Sequence, residues 1–474
     1  MSGSIDALEN FWGEMVGRRD PRLRYHPMCA QPDWKRRAIP FAVHGDGVAV
    51  LFTGRHGARS LDCISIASLV SEGKLSERSL LLSCVFEDNK VHNAPPGTHT
   101  TDDAIWAALS WSFQSLFAGE HPRRNLDGSA ATSIAAGVPL CSNHEHFFGV
   151  LWSIKGDYEW FRKGLQLRSA NSNKPCELCE ANCAGGPNYW PTNFRADAAW
   201  MHTLSTAEGW RAATTRHTLF KEIGYLSCLN LEPDELHVVW LGIAQPVLGA
   251  VIWLIVYMRM GGAAAANVDE VWSLVRSKYD VGDSKIGDLS LGTFTNVKHP
   301  WTEYPCLKAK GAETKDIVKG VLAAWKQYRI RHAGHAGFPF DCQVEGLLCD
   351  LASIGSTLDD HSRDFFLPSN VADSVSATID SFLTRYTWLA KKSDEQGLLL
   401  FPSKPKLHFL WHIARRTNFL NPRRVACWCD ESFLSLVKTI AGASARGTCL
   451  HNIPTKVMHK HVWALTMESY HDLS

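Results

Sequence analysis

The spacing of apolar positions divides the chain into a strand-rich part and a helix-rich part. Residues 38–53 (AIPFAVHGDGVAVLFT) read as two short apolar strands around a Gly45-Asp46-Gly47 turn. Further β-rich runs follow at 60–69 and 80–86. Residues 101–117 carry apolar positions at helical spacing behind two threonines and two aspartates, the pattern of a capped helix. The run FFGVLWSI at 147–154 has strand length and ends at Lys155-Gly156-Asp157, after which YEWFRKGLQL turns helical. Strands, a helix, a strand and a helix in that order predict an α/β sheet with carboxylates at strand ends.

Beyond Ser172 the period changes. A Cys176/Cys179 pair and the loop-like stretch GGPNYWPTN mark a boundary, and helical patterns then cover 234–258, 268–279, 313–331, 344–354 and 371–390. Two more helices are expected at 405–416 and 431–440. The organisation expected is an N-terminal extension (1–37), the first part of an α/β core (38–172), a large mainly helical insertion (173–400) and a return to the core (401–474).

Residues 236–258 contain no Asp, Glu, Lys or Arg and are long enough to span a bilayer. They also contain His237, Gln245 and Pro246 and lie mid-chain between polar, globular-looking stretches, which favours a helix buried in a soluble core. No membrane partner is expected. A membrane protein with its span at 236–258 stays as an alternative.

Composition narrows the picture further. With 45% hydrophobic and 10% aromatic residues among 474, a sizeable core is available. Lys plus Arg (49) balances Asp plus Glu (48), so a nucleic-acid surface must be a local patch. The 14 cysteines are scattered, and the opening MSGSIDALENFWGEM has acids where a signal peptide is basic. Reduced thiols, buried or metal-bound, are expected.

Three carboxylates stand out by position. Asp46 lies between glycines after an apolar run, Asp157 ends the second apolar run just after a glycine, and Glu431 opens the ESFLSLVKTI helix. Phosphodiester chemistry with two divalent metals needs such clustered carboxylate oxygens. A single Asp in a turn or Glu at a helix start is more commonly a turn former or a cap, so the case rests on their arrangement.

Cys176 and Cys179 form half of a tetrahedral zinc site, with Cys183, His202, His217 or Cys228 as candidate completions. His408 and His412, four apart, can share a helix face as metal ligands, though such pairs more commonly pack or touch phosphate. The stretch 396–429 contains no Asp or Glu. It holds Lys404, Lys406, Arg415, Arg416, Arg423 and Arg424 interleaved with Phe409, Trp411 and Phe419, a pattern that suits a DNA backbone or, equally, a solvated face.

Several of these islands resemble the CACTA (En/Spm-like) superfamily of DDE transposases and related element-derived families. The C-x2-C that follows the family's second aspartate matches Cys176 and Cys179 after Asp157. The family's Asp-x-x-His helix start and Leu-Gly match Asp234, His237 and Leu241-Gly242. Its Lys-x-His-x-x-x-His segment, followed by Glu before F-L-x-x-L-K, has its counterpart in Lys406, His408, His412 and Glu431, the last followed here by S-F-L-S-L-V-K. Asp46 in HGDG fits the first aspartate, and the long interval before Glu431 resembles the family's inserted helices. The resemblance covers roughly 38–465, in short islands.

It implies an RNase H-like mixed sheet flanked by helices and interrupted by a helical insertion. It also implies Asp46, Asp157 and Glu431 as catalytic ligands of Mg2+ or Mn2+, with Asp234, His237, His408 and His412 in support. Double-stranded DNA as partner, a homo-oligomer and a nuclear location follow from it, with a structural Zn2+ at the cysteines as a further expectation. The alternatives are a truncated or inactive copy, or a domesticated non-catalytic DNA- or protein-binding module on the same fold.

Overall fold

The computed structural model describes residues 4–51, 58–71, 78–95, 98–141, 146–213, 217–445 and 447–471. Its strands are β1 (Ala38–Leu51), β2 (Ala58–Ser68), β3 (Ser79–Phe86) and β4 (Phe148–Gly156). The longer helices are α1 (Ile5–Gly17), α2 (Thr101–Ala118), α3 (Tyr158–Gly164), α4 (Leu236–Arg259), α5 (Ala264–Arg276) and α6 (Gly311–Tyr328). Then come α7 (Phe338–Asp360), α8 (Ser369–Glu395), α9 (Pro405–Arg416), α10 (Trp428–Ser444) and α11 (Ile453–His471). The chain divides into two compact units, each made of separated stretches. One comprises Met1–Ser169, Ser205–Glu232 and Val425–Ser474, the other Ala170–Leu204 and Pro233–Arg424.

The first unit is built on a four-stranded mixed sheet in the order β3-β2-β1-β4. β1, β2 and β3 form an antiparallel meander, and β4 adds to β1 in parallel after the α2 crossover. Residues of both parities along β1 are apolar because both faces of the sheet are covered. Val50, Leu61, Cys63, Leu81, Cys84 and Phe86 pack on Phe433, Leu434, Val437 and Ala441 of α10 and on Ile453 and Val457 of α11. On the opposite face α2 lies so close to β4 that a Cβ at Gly149 would meet the Leu116 side chain at 2.4 Å. From α1, the Trp12 indole donates to the Ala38 carbonyl (2.8 Å) and packs edge-on against Trp152.

Residues 205–232, expected in the insertion, belong to this first unit. Asn230 donates to the Trp152 carbonyl (2.9 Å), and Leu231 forms an isolated parallel bridge with Ile154. Glu232 accepts from Arg22 (2.8 Å) and from the Ser153 hydroxyl (2.9 Å), while Arg22 also pairs with Asp20 and lies over Trp152. These buried ion pairs and hydrogen bonds tie the segment to β4. The chain re-enters the first unit at Val425 and not at 401, because α9 is bound into the second unit by its own buried histidines.

The Gly45-Asp46-Gly47 turn does not form. β1 runs unbroken through these residues, with Asp46 opposite Cys63 and Gly47 opposite Asp62. Gly45 has a different use: a Cβ there would sit 1.9 Å from the Trp160 indole of α3, so the glycine leaves room for that ring against the strand.

In the second unit α4 is the central element. It is long and apolar enough to cross a membrane by length and composition, yet its side chains are almost all buried among its neighbours. Two π-helical stretches, Leu236–Ala244 and Ile255–Arg259, flank an α-helical middle at Gln245–Leu254. Gly249 admits the backbone of Cys306, and Gly242 admits the Lys406 side chain. Its ends are fixed by charge. Arg259 makes a two-pronged pair with Asp341 of α7 (2.9 and 2.5 Å), and Glu235 binds Arg423 (3.2 Å). Long helices α7 and α8 pack side by side, and α9 packs on α8.

Two outcomes check this architecture. Gly45→Ala is expected to cost about 1–3 kcal/mol by forcing the Trp160 ring off β1; denaturant unfolding should show most of that cost disappear in a Trp160→Ala background. His217, which caps a short helix through Nδ1, is held down to about 4 by burial. Its folded value lies below its unfolded one, so its contribution is present above pH 6.5 and is lost as pH falls towards 4. On the order of 3 kcal/mol should go in that window. His217→Asn, which keeps a cap, should flatten that part of the acid unfolding curve.

Candidate metal centres

The second unit contains a buried cluster of two thiols and two imidazoles. Cys176 and Cys179 come from the loop after Ala170, and His408 and His412 from successive turns of α9. All four are buried, and their ligating atoms lie within 4.8 Å of one another. Cys176 Sγ is 3.3 Å from His412 Nε2, Cys179 Sγ is 3.3 Å from His408 Nε2, and the two Nε2 atoms are 3.1 Å apart. A tetrahedral zinc with bonds of about 2.3 Å to sulfur and about 2.05 Å to nitrogen has S···N edges of about 3.5 Å and an N···N edge of about 3.3 Å. The observed edges fall within a few tenths of an ångström of these values.

The surroundings suit a metal as well. His408 Nδ1 donates to the Pro191 carbonyl (3.0 Å), which fixes the tautomer and turns Nε2 to the cluster. The Trp200 ring packs on His408 (4.4 Å between centroids) and on Trp411 (4.8 Å), closing the site to water. The hydrogen bond from Cys176 pulls the Cys179 thiol far down, aided by both histidines, whereas burial pushes Cys176 up. Burial also lowers His412 to about 4. A dication held here would take both sulfurs as thiolates and both imidazoles neutral.

The completions considered from sequence do not supply this set. Cys183 and His202 are exposed, and His217 and Cys228 belong to the first unit. The histidine pair of α9 does, as HxxxH on one helix face allows.

In the first unit, β1 and β4 end their pairing with Gly45 opposite Gly156. Asp46, still within β1, and Asp157, just past the end of β4, are therefore the residues that follow this pair. Asp46 accepts from the Gly47 N–H (2.6 Å), and Asp157 caps α3 by accepting from the Trp160 N–H (2.6 Å). One layer inward, His44 and Lys155 are paired across the same strands and are buried. The Lys155 ammonium forms a buried ion pair with Asp430 in the first turn of α10. Burial alone would lower the Lys155 pKa; the Asp430 carboxylate outweighs it and raises the value. That pair fixes the start of α10, and with it half-buried Glu431, at the same end of the sheet as the two aspartates.

Among the described residues Asp46, Asp157 and Glu431 do not form a group with all ligand atoms within 4.8 Å. A two-ion site does not require one. With ions about 3.5–4 Å apart and oxygens about 2.1 Å from each, outer ligands stand up to about 8 Å apart.

The six cations picked out by sequence fare differently. Lys406 passes over Gly242 and donates to the His237 carbonyl (2.8 Å). Arg415 pairs with Asp380 (2.5 Å) and stacks on Trp411, Arg423 pairs with Glu235 and Asp359, and Arg424 lies over Phe365. Lys404 lines a cavity of about 270 Å3 with Trp190, Thr192 and Ser403. Arg416 ends α9. Asp234 caps the start of α4 by accepting from the Leu236 and His237 N–H groups (3.1 Å each), and it also bonds the His237 ring.

Sequence reading missed His44, Lys155, Cys427 and Asp430. The available signal was Lys155, a charge at the end of an otherwise apolar run, which must find a partner if the run is buried. The chain matches no family model and no curated protein.

Lys155→Met should leave Asp430 buried without its counter-charge and cost about 3–5 kcal/mol. The double change Lys155→Met/Asp430→Leu should recover most of that loss in a denaturant-unfolding cycle. Additive losses would mean the two residues are not coupled.

Proposed function

We propose that this chain is a DDE transposase-like protein, with an RNase H-like core that cuts and joins DNA using two divalent ions and a second, helical unit stapled by zinc. One observation carries the reading. The sheet order β3-β2-β1-β4, antiparallel meander first and parallel strand second, sets Asp46 and Asp157 at adjacent positions, and the Lys155–Asp430 pair brings the first turn of α10 to the same end. An RNase H-like core has this strand order, and the isolated Ile154–Leu231 bridge lies on the outer edge of β4, where such a sheet continues.

Independent support comes from the islands behind the family resemblance. C-x2-C and H-x3-H, far apart in sequence, meet in one buried cluster, and the K-x-H island touches the Asp-x-x-His island through Lys406 and His237.

In this reading Asp46, Asp157 and Glu431 hold Mg2+ or Mn2+, the hard cations their oxygens suit. Such ions activate the attacking oxygen and stabilise the leaving one. Lys155 and Asp430 hold α10 in place, and the Asp157 cap orders the strand end. DNA is the substrate and a nuclear location follows. Cys176, Cys179, His408 and His412 hold Zn2+ as a structural ion.

A second reading is a non-catalytic descendant that binds DNA or protein, and the cations favour its protein-binding form. Lys406, Arg415 and Arg423 are committed to partners inside the second unit and do not present a phosphate-binding row.

Asp46→Asn, Asp157→Asn and Glu431→Gln should each reduce Mn2+-dependent nicking of supercoiled DNA by at least about a hundredfold, since each removes a ligand to ions worth several kcal/mol in the transition state. Asn still caps a helix, so Asp157→Asn should keep its melting temperature. Nicking at the parent rate in these variants, or none by the parent itself with no calorimetric Mn2+ binding, leaves the non-catalytic reading.

A further inference from the structure

A second constellation of metal-ligating side chains lies beneath the sheet end. His44 of β1, Cys427 at the N-cap of α10 and Asp430 in its first turn are all buried, and their ligating atoms lie within 4.8 Å of one another. We propose that His44, Cys427 and Asp430 form a second transition-metal site, taking Zn2+ or a similar borderline-soft dication, separate from the Cys2His2 cluster.

The donor set excludes Mg2+ and Ca2+ as natural occupants. One imidazole, one thiol and one carboxylate suit zinc, cobalt or ferrous iron, whereas hard cations take oxygen alone. Three protein ligands leave a fourth position for water, the pattern of an open zinc site.

Lys155 completes the argument. Its ammonium binds Asp430 Oδ2, and metal-ligating carboxylates characteristically keep such an outer partner that sets their orientation. On metal uptake the Cys427 thiol gives its proton to solvent, and the Asp430 carboxylate is then shared between the ion and Lys155, leaving one net positive charge at the site. The ligands come from the middle of β1 and the start of α10, so the ion bolts that helix to the sheet one residue before Glu431. The site stands on its own residues and does not depend on the nuclease reading.

Metal content of the purified full chain tests it. Two zinc equivalents are expected by mass spectrometry after dialysis. Cys427→Ser and His44→Gln should each lose one while keeping the Cys2His2 ion, and Cys176→Ser/Cys179→Ser should lose the other. In the cobalt-loaded Cys176→Ser/Cys179→Ser protein, a single-thiolate charge-transfer band should remain and vanish when Cys427→Ser is added. Circular dichroism checks that each variant is folded, and having both His44→Gln and Cys427→Ser guards against one misfolding. If Cys427→Ser and His44→Gln keep the parent's metal content, or the cobalt band is absent before Cys427 is changed, the site does not exist. If only the Cys176→Ser/Cys179→Ser change is without effect, the second site stands and the Cys2His2 zinc falls.

Discussion

The buried ion pair between Lys155 and Asp430 is the constraint on which the first unit turns. A lysine at the end of an apolar strand is costly unless a carboxylate meets it, and here the carboxylate comes from a helix late in the sequence. Satisfying that charge docks the first turn of α10 on the ends of β1 and β4. The apolar side of α10 then lies along the sheet, where Phe433, Leu434 and Val437 close the core with α11. The position of Glu431 and the nearness of Cys427 to His44 follow from the same docking.

The second unit has a constraint of the same kind with different chemistry. Two thiols on a glycine- and proline-rich loop have little regular structure of their own to hold them. The imidazoles of α9 meet them, the Pro191 carbonyl orients one ring, and Trp200 covers the cluster. Lys406, on the same helix, reaches over Gly242 to α4, so one helix organises both the loop and the long apolar helix. The apolar side chains of α4 are almost all buried in this packing.

The sequence made the strands and most helices legible because the sheet is covered on both faces and the helices keep one buried side. Gly45-Asp46-Gly47 misled because glycines flanking an aspartate signal a turn, whereas Gly45 is required for the close approach of Trp160, a contact no local pattern reveals. Cys176/Cys179 and His408/His412 were each visible as half-sites. Their union was not, since more than two hundred residues of chain separate them and nearer thiols and histidines competed. Cys427 and Asp430 are three apart and share a helix face, but nothing in the sequence joins them to His44; only the fold does. By sequence the three candidate acids fall at a turn, a strand end and a helix start; the structure has Asp46 inside β1, Asp157 just past β4 and Glu431 in the first turn of α10.

The account depends most on whether the end of the sheet binds divalent ions. Crystals of the protein soaked in Mn2+ and measured at the manganese absorption edge test this directly. The account predicts anomalous density among the carboxylates of Asp46, Asp157 and Glu431, lost in the Asp46→Asn protein. Ordered carboxylates with no anomalous density at saturating Mn2+ would contradict it.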